Sequence, residues 1–246
     1  MLSPTGWKVS KNNTFNYNLW IPNNRLDYEY LDLIKQWAES ANHYLWLQTN
    51  RHTQDLFFGN EVDFALAPDW NIDIEQKRRT ELGEAEYMLK YNSDYLSRGE
   101  SERLTDMLCE AIIQCIDYIP LNNENCIVTS VPATRSNQNK LSWVIAQRIA
   151  EALGLAFVPI TLTIEKTKTK NLSVLEKIES WREVYKEDAN TIIEGNIYDK
   201  EILIIDDLYQ SGASVWTLAE HLKRDIGVSH VYAVSAVKAL KDGDNQ

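Results

Sequence analysis

Residues 201–224 read EILIIDDLYQSGASVWTLAEHLKR, and this stretch decides the fold. The apolar run 202–205 is a buried-type strand that delivers two consecutive carboxylates, Asp206 and Asp207, to its C-terminal edge, where parallel sheets place their ligand sites. The loop QSGAS, 210–214, then turns into a helix whose apolar residues Val215, Leu218, Ala219 and Leu222 recur at helical spacing. Gly212 permits a tight turn with amide hydrogens facing one point. Those amides, the hydroxyls of Ser211 and Ser214 and the positive end of the helix macrodipole make a small anion site suited to a phosphate monoester. Ionised carboxylates are pure acceptors, so the acidic pair can take hydrogen bonds from the hydroxyls of a sugar attached to that phosphate. The plainer alternative is that the acids cap a turn and Gly212 only relieves strain.

Outward from this stretch, strands alternate with helices. Upstream come helices through LGEAEYMLKY and SERLTDMLCEAIIQCIDYI, a strand in NCIVTSV, the helix LSWVIAQRIAEAL closed by Gly154, and a short strand AFVPI. Downstream lies a final strand, HVYAVSAV. Strands separated by helices imply right-handed crossovers and a parallel sheet, hence an α/β fold. Residues 161–199 are polar and Lys-rich with a modest amphipathic helix, the pattern of a hood or lid inserted between core elements. Residues 1–79 are rich in aromatics and Asn, with one helical stretch from Asp27 to about Tyr44 and alternation around Val62, Phe64 and Leu66. They are expected to form an N-terminal extension or small subdomain, with 80–246 as the main domain.

Composition bounds the function. Lys and Arg number 25 against 36 Asp and Glu, a formal net charge of −11 over 246 residues, which disfavours direct nucleic-acid binding or attraction to anionic lipid. No apolar run is long enough to span a bilayer, and the N-terminus lacks the apolar core of a signal peptide, so a cytoplasmic protein is expected. Cys109, Cys115 and Cys126 form no CxxC pair and are expected to be buried thiols. His43, His52, His221 and His230 show no metal-ligand spacing.

With ILIIDDLYQSGAS in place, the sequence resembles the type I phosphoribosyltransferases. Their signature is an apolar strand, two acids, two further residues and a loop binding phosphoribosyl pyrophosphate. Within that family it is most similar to the ComF-like competence proteins, through TSVPATRSNQNKLSWVIAQRIAEALG and LGEAEYMLKYNSDYLS, over about residues 80–237. The zinc-binding cysteines at the front of many ComF-like chains are missing. An unrelated flavodoxin-like domain, with the acidic strand end binding metal alone, stays as an alternative.

The resemblance implies a type I phosphoribosyltransferase fold with a hood, and residue roles that follow it. Asp206 and Asp207 would hold the ribose hydroxyls and serve as the catalytic pair. Gln210, Ser211, Gly212, Ala213 and Ser214 would hold the 5-phosphate. Ala133, Thr134 and Arg135 would lie at the pyrophosphate, with Lys168, between Lys166 and Lys170, closing over it. Magnesium would bind through substrate oxygens, and the protein itself would supply no metal site. The ligand would be phosphoribosyl pyrophosphate or a nucleotide. The reaction implied is displacement at the anomeric carbon, a phosphoribosyl transfer or hydrolysis. Gln210 stands where oxopurine-salvage members carry an acid, and its amide takes no proton at neutral pH, which disfavours 6-oxopurine salvage. A catalytically limited, nucleotide-sensing partner in a competence- or phage-defence-type, retron-like assembly is the competing function. In that case a protein partner would meet the aromatic N-terminal segment.

Overall fold

The computed structural model describes residues 7–9, 17–19, 21–48, 57, 61–134, 140–165 and 172–240. The chain divides into two compact units, Met1–His43 and Tyr44–Gln246. In the first, strands β1 (Trp7–Val9) and β2 (Tyr17–Leu19) pair antiparallel, with Trp7 opposite Leu19. Helix α1 (Tyr28–Ala41) starts where expected, because the Asp27 carboxylate accepts the Tyr30 N–H at 3.1 Å and satisfies one of the helix's open donors.

The second unit begins with β3 (Leu45–Trp46) and β4 (Phe64–Ala67). Helices α2 (Glu81–Tyr91) and α3 (Arg98–Ile116) follow, then β5 (Cys126–Ser130), β6 (Ala133–Thr134) and α4 (Leu141–Leu153). Next come β7 (Ala156–Phe157), β8 (Ile160–Leu162), α5 (Val174–Tyr185) and β9 (Thr191–Ile193). β10 (Glu201–Tyr209), α6 (Ala213–His221) and β11 (His230–Lys238) complete the fold. It is a mixed α/β protein with a mostly parallel central sheet of order β3-β4-β11-β10-β5-β7, in which β3 alone runs antiparallel to its neighbour. A second sheet has the order β6-β8-β9. β4, from the stretch assigned by sequence to the extension, belongs to the central sheet through its pairing with β11.

Side chains of a strand point alternately to its two faces. On β10, Ile202 and Ile204 enter the core that α5 and α6 cover, while Leu203 and Ile205 enter the core beneath α3 and α4. All four are fully buried, each stabilising the sheet by about 1.5–3 kcal/mol.

Three boundaries differ from the sequence reading. AFVPI splits into β7 and β8 around Val158 and Pro159, since proline has no N–H to continue a ladder. β10 continues through the acids to Tyr209 because β11 keeps pace with it: Leu208 pairs Val237 and Tyr209 pairs Lys238. α6 passes into a π-helical turn at residues 222–226, closed by Gly227 at φ 82°. The hood candidate contains α5, whose Val174, Ile178, Trp181, Val184 and Tyr185 are buried, so this helix is a packed part of the core. Among the described residues no helix is long and apolar enough to cross a membrane.

Candidate functional site

The site grows from a mismatch in strand length. β5 pairs with β10 only as far as Ser130 opposite Ile205, whereas β10 and β11 continue together to Tyr209 and Lys238. Asp206 and Asp207 therefore stand just beyond the end of β5. Both line a cavity of about 600 Å³, with Lys90 from α2, Ser101 and Thr105 from α3, and Lys140 and Ser142 at the start of α4.

The two carboxylates sit in different surroundings. Asp206 is 8% exposed and its Oδ1 accepts the Asp207 backbone N–H at 3.0 Å. Burial, reinforced by the Asp207 charge, pushes its carboxyl up to about 8 against the opposing pull of Lys90 and Lys140. Asp207 Oδ2 is 2.8 Å from the Lys90 ammonium. That ammonium also lies 3.2 Å from Oε1 of Glu86, one helical turn earlier, although this second contact falls outside hydrogen-bond geometry. Burial raises the Glu86 carboxyl above its ordinary value, partly offset by Lys90. Burial works against the charge on Lys90, yet Asp207, Glu86 and Asp206 outweigh it and hold the ammonium well above the usual lysine range. Ser235, the register partner of Asp206, is fully buried and its hydroxyl has no hydrogen-bond partner among the described residues.

The QSGAS turn does not line that cavity. Gly212 caps α6 at φ 76°, ψ −2°, the left-handed conformation expected of it, and its carbonyl accepts the Trp216 N–H at 2.9 Å. Ser211, Gly212 and Ala213 are buried, Ser214 is half-buried and Gln210 is exposed. The Ser211 hydroxyl faces the Ala213 N–H at 3.5 Å. Tyr209, bulky for this position, packs beneath the turn: its hydroxyl donates to the Gln48 carbonyl at 2.9 Å and accepts from the Trp216 indole at 3.0 Å.

The structure thus brings Asp206 and Asp207 together in one cavity and leaves the turn a few residues further along the chain. Ala133 and Thr134 form β6 beside β8, and Ala133 is not among the described residues that line the cavity. Arg135, Lys166, Lys168 and Lys170 lie outside the described residues. Sequence reasoning missed Lys90, Glu86, Lys140 and Ser235. The one local signal for the first pair was the Glu-to-Lys spacing of four on α2. Among the described residues no three His, Cys, Asp or Glu side chains converge as a metal site.

These features define an α/β protein with an acid- and lysine-lined cavity at the C-terminal edge of a mostly parallel sheet. No family model matches the chain, and no curated protein matches it. Solved structures are similar to it. The adenine phosphoribosyltransferase of Thermoanaerobacter pseudethanolicus aligns at 14% identity over 56% of this chain and 81% of that chain, with a TM-score of 0.35. The hypoxanthine phosphoribosyltransferase of Staphylococcus aureus aligns at 14% identity over 55% and 62%, with a TM-score of 0.34. The adenine phosphoribosyltransferase of Leishmania tarentolae aligns at 13% identity over 75% and 94%, with a TM-score of 0.36.

Proposed function

We propose that this protein binds phosphoribosyl pyrophosphate, with magnesium held through the ligand's own oxygens, and transfers or hydrolyses its phosphoribosyl group. The observation that carries this is the placement of Asp206 and Asp207 side by side in the cavity at the end of β5, followed by the left-handed Gly212 turn into α6. In this reading the ribose hydroxyls donate to the acidic pair. Asp206, protonated near neutral pH, also has a proton to give. The 5-phosphate lies toward Gln210, Ser211, Gly212, Ala213 and Ser214, where the N-terminus of α6 favours negative charge. The bond from the anomeric carbon to pyrophosphate breaks with its electron pair leaving on pyrophosphate. A nitrogen nucleophile or water bonds to that carbon and gives its proton to solvent. Magnesium would supply charge neutralisation of the departing pyrophosphate.

A second reading, a nucleotide-sensing regulatory partner that binds without turnover in a competence- or defence-type assembly, draws on Gln210. It stands exposed at the head of the turn, and its amide takes no proton near neutral pH, so it offers an acceptor base no general acid or base. Isothermal titration with phosphoribosyl pyrophosphate and magnesium, followed by a pyrophosphate-release assay over a panel of bases, separates the two. Heat with release supports the transferase, heat without release the sensor, and absence of heat overturns both.

A further inference from the structure

We infer that Lys90 is the cation that docks the diphosphate end of the ligand in this cavity, locked in place between Glu86 and Asp207. This rests on the phosphoribosyl reading above. A lysine on a helix surface is ordinarily mobile and hydrated. Here Glu86 and Lys90 lie one turn apart on α2, the Glu86 side chain is 3% exposed, and Asp207 reaches the ammonium from β10 at 2.8 Å. Asp207 holds one N–H of the ammonium and Glu86 stands beside its charge, so further N–H groups are left for a ligand.

The helix that carries Lys90 is itself seated firmly. The Thr80 hydroxyl donates to the Trp70 carbonyl at 2.6 Å, and the Thr80 oxygen caps α2 by accepting the Gly83 N–H at 3.0 Å. A Cβ on Gly83 would meet the Asn71 carbonyl oxygen at 2.0 Å, so the first turn lies directly on that backbone. Lys90 is thus presented by a rigid element, as a site needs.

Charge makes the residue necessary. Among the described residues of the lining, loss of Lys90 would leave Lys140 as the one cation beside Asp206 and Asp207, with less to attract a polyanion. With Lys90 in place, the lining carries a second cation besides Lys140. Lys140 comes from the start of α4, where Leu141 and Ser142 also line the cavity and the helix has no side-chain cap. The diphosphate lies against Lys90, and the sugar lies over the acids toward the α6 turn.

The experiment is isothermal titration of the wild type, Lys90→Met, Lys90→Arg and Glu86→Gln with two probes in magnesium buffer, inorganic pyrophosphate and ribose 5-phosphate, each variant checked for folding by its thermal melt. The expected result for Lys90→Met is a loss of pyrophosphate affinity of about tenfold or more, with ribose 5-phosphate changed far less. Lys90→Arg retains pyrophosphate, and Glu86→Gln, which frees the lysine, weakens it. Unchanged pyrophosphate affinity in folded Lys90→Met, or equal loss of both probes, overturns the assignment. If Lys90→Met does not fold, unchanged pyrophosphate binding by Glu86→Gln overturns it instead, and weakened binding beside a competent Lys90→Arg upholds it. Lysine-dependent pyrophosphate binding without any ribose 5-phosphate binding would uphold Lys90 and sink the sugar-phosphate reading, whereas a wild type that binds neither probe sinks both.

Discussion

The hydroxyl of Tyr209 lies 2.2 Å from the point that a Cβ on Gly212 would occupy. The turn therefore closes over a buried phenol, and the left-handed conformation of Gly212 adds to the demand for glycine. Gly212→Ala should destabilise the fold by about 1–3 kcal/mol, read as a lower midpoint in urea unfolding with unchanged slope. A wild-type midpoint would show that the turn tolerates a side chain and that Tyr209 does not sit beneath it.

Tyr209→Phe removes the donor to Gln48 and the acceptor for Trp216 together. Leaving those two groups unpaired should cost about 1–3 kcal/mol. The same unfolding measurement applies, and the change in indole environment should appear in tryptophan fluorescence.

The raised carboxyl of Asp206 fixes a sign for pH dependence. Its value in the folded protein, about 8, lies above the ordinary 3.8, so the folded state binds more protons between those limits. This contribution is fully present below pH 4 and is lost as pH rises toward 8. Asp206→Asn should flatten that part of the profile, so the variant gains relative to wild type as pH is raised from 5 to 8. Parallel profiles for the two proteins would show that Asp206 titrates normally.

On the phosphoribosyl reading, Asp207→Asn should reduce affinity for phosphoribosyl pyrophosphate, because the amide replaces an acceptor with a donor toward the sugar hydroxyls, and Asp206→Asn, which resembles the protonated Asp206, should reduce it less. Titration calorimetry measures this. Affinity equal to wild type in both variants would remove the acids from the sugar.

Burial pushes the Cys109 thiol up to about 11 and those of Cys115 and Cys126 up to about 12. The thiolate is the reactive form, so all three should resist iodoacetamide at pH 8 in the native protein and react promptly in guanidinium. Mass spectrometry of intact protein counts the additions. Rapid native labelling would contradict the packing around α3 and β5.

Much of this was legible locally. Asp27 at the head of a helical stretch, Gly154 as a helix end, left-handed at φ 66°, and the apolar run before Asp206 are short-range signals, and each element formed where its signal lay. The place of Asp206 and Asp207 toward the end of a strand was legible from the apolar run that precedes them. Lys90 was not, since nothing within EAEYMLKY distinguishes a lysine aimed at a distant aspartate from one bathed in water. The length of β10 was equally hidden: LY after the acids looks like loop until β11 is known to run beside it. Tyr209 needed Gln48 and Trp216 to explain it, and only the second is near in sequence.

The unequal reach of β5 and its neighbours builds a stair into the sheet, and the twin acids form its tread. A tread held by a continuing ribbon has little freedom to swing toward a guest. A molecule that fits must bring the complementary outline with it, so discrimination among pentoses would be settled by their stereochemistry, with hydrogen exchange at residues 206–209 equally slow whether the stair is vacant or filled.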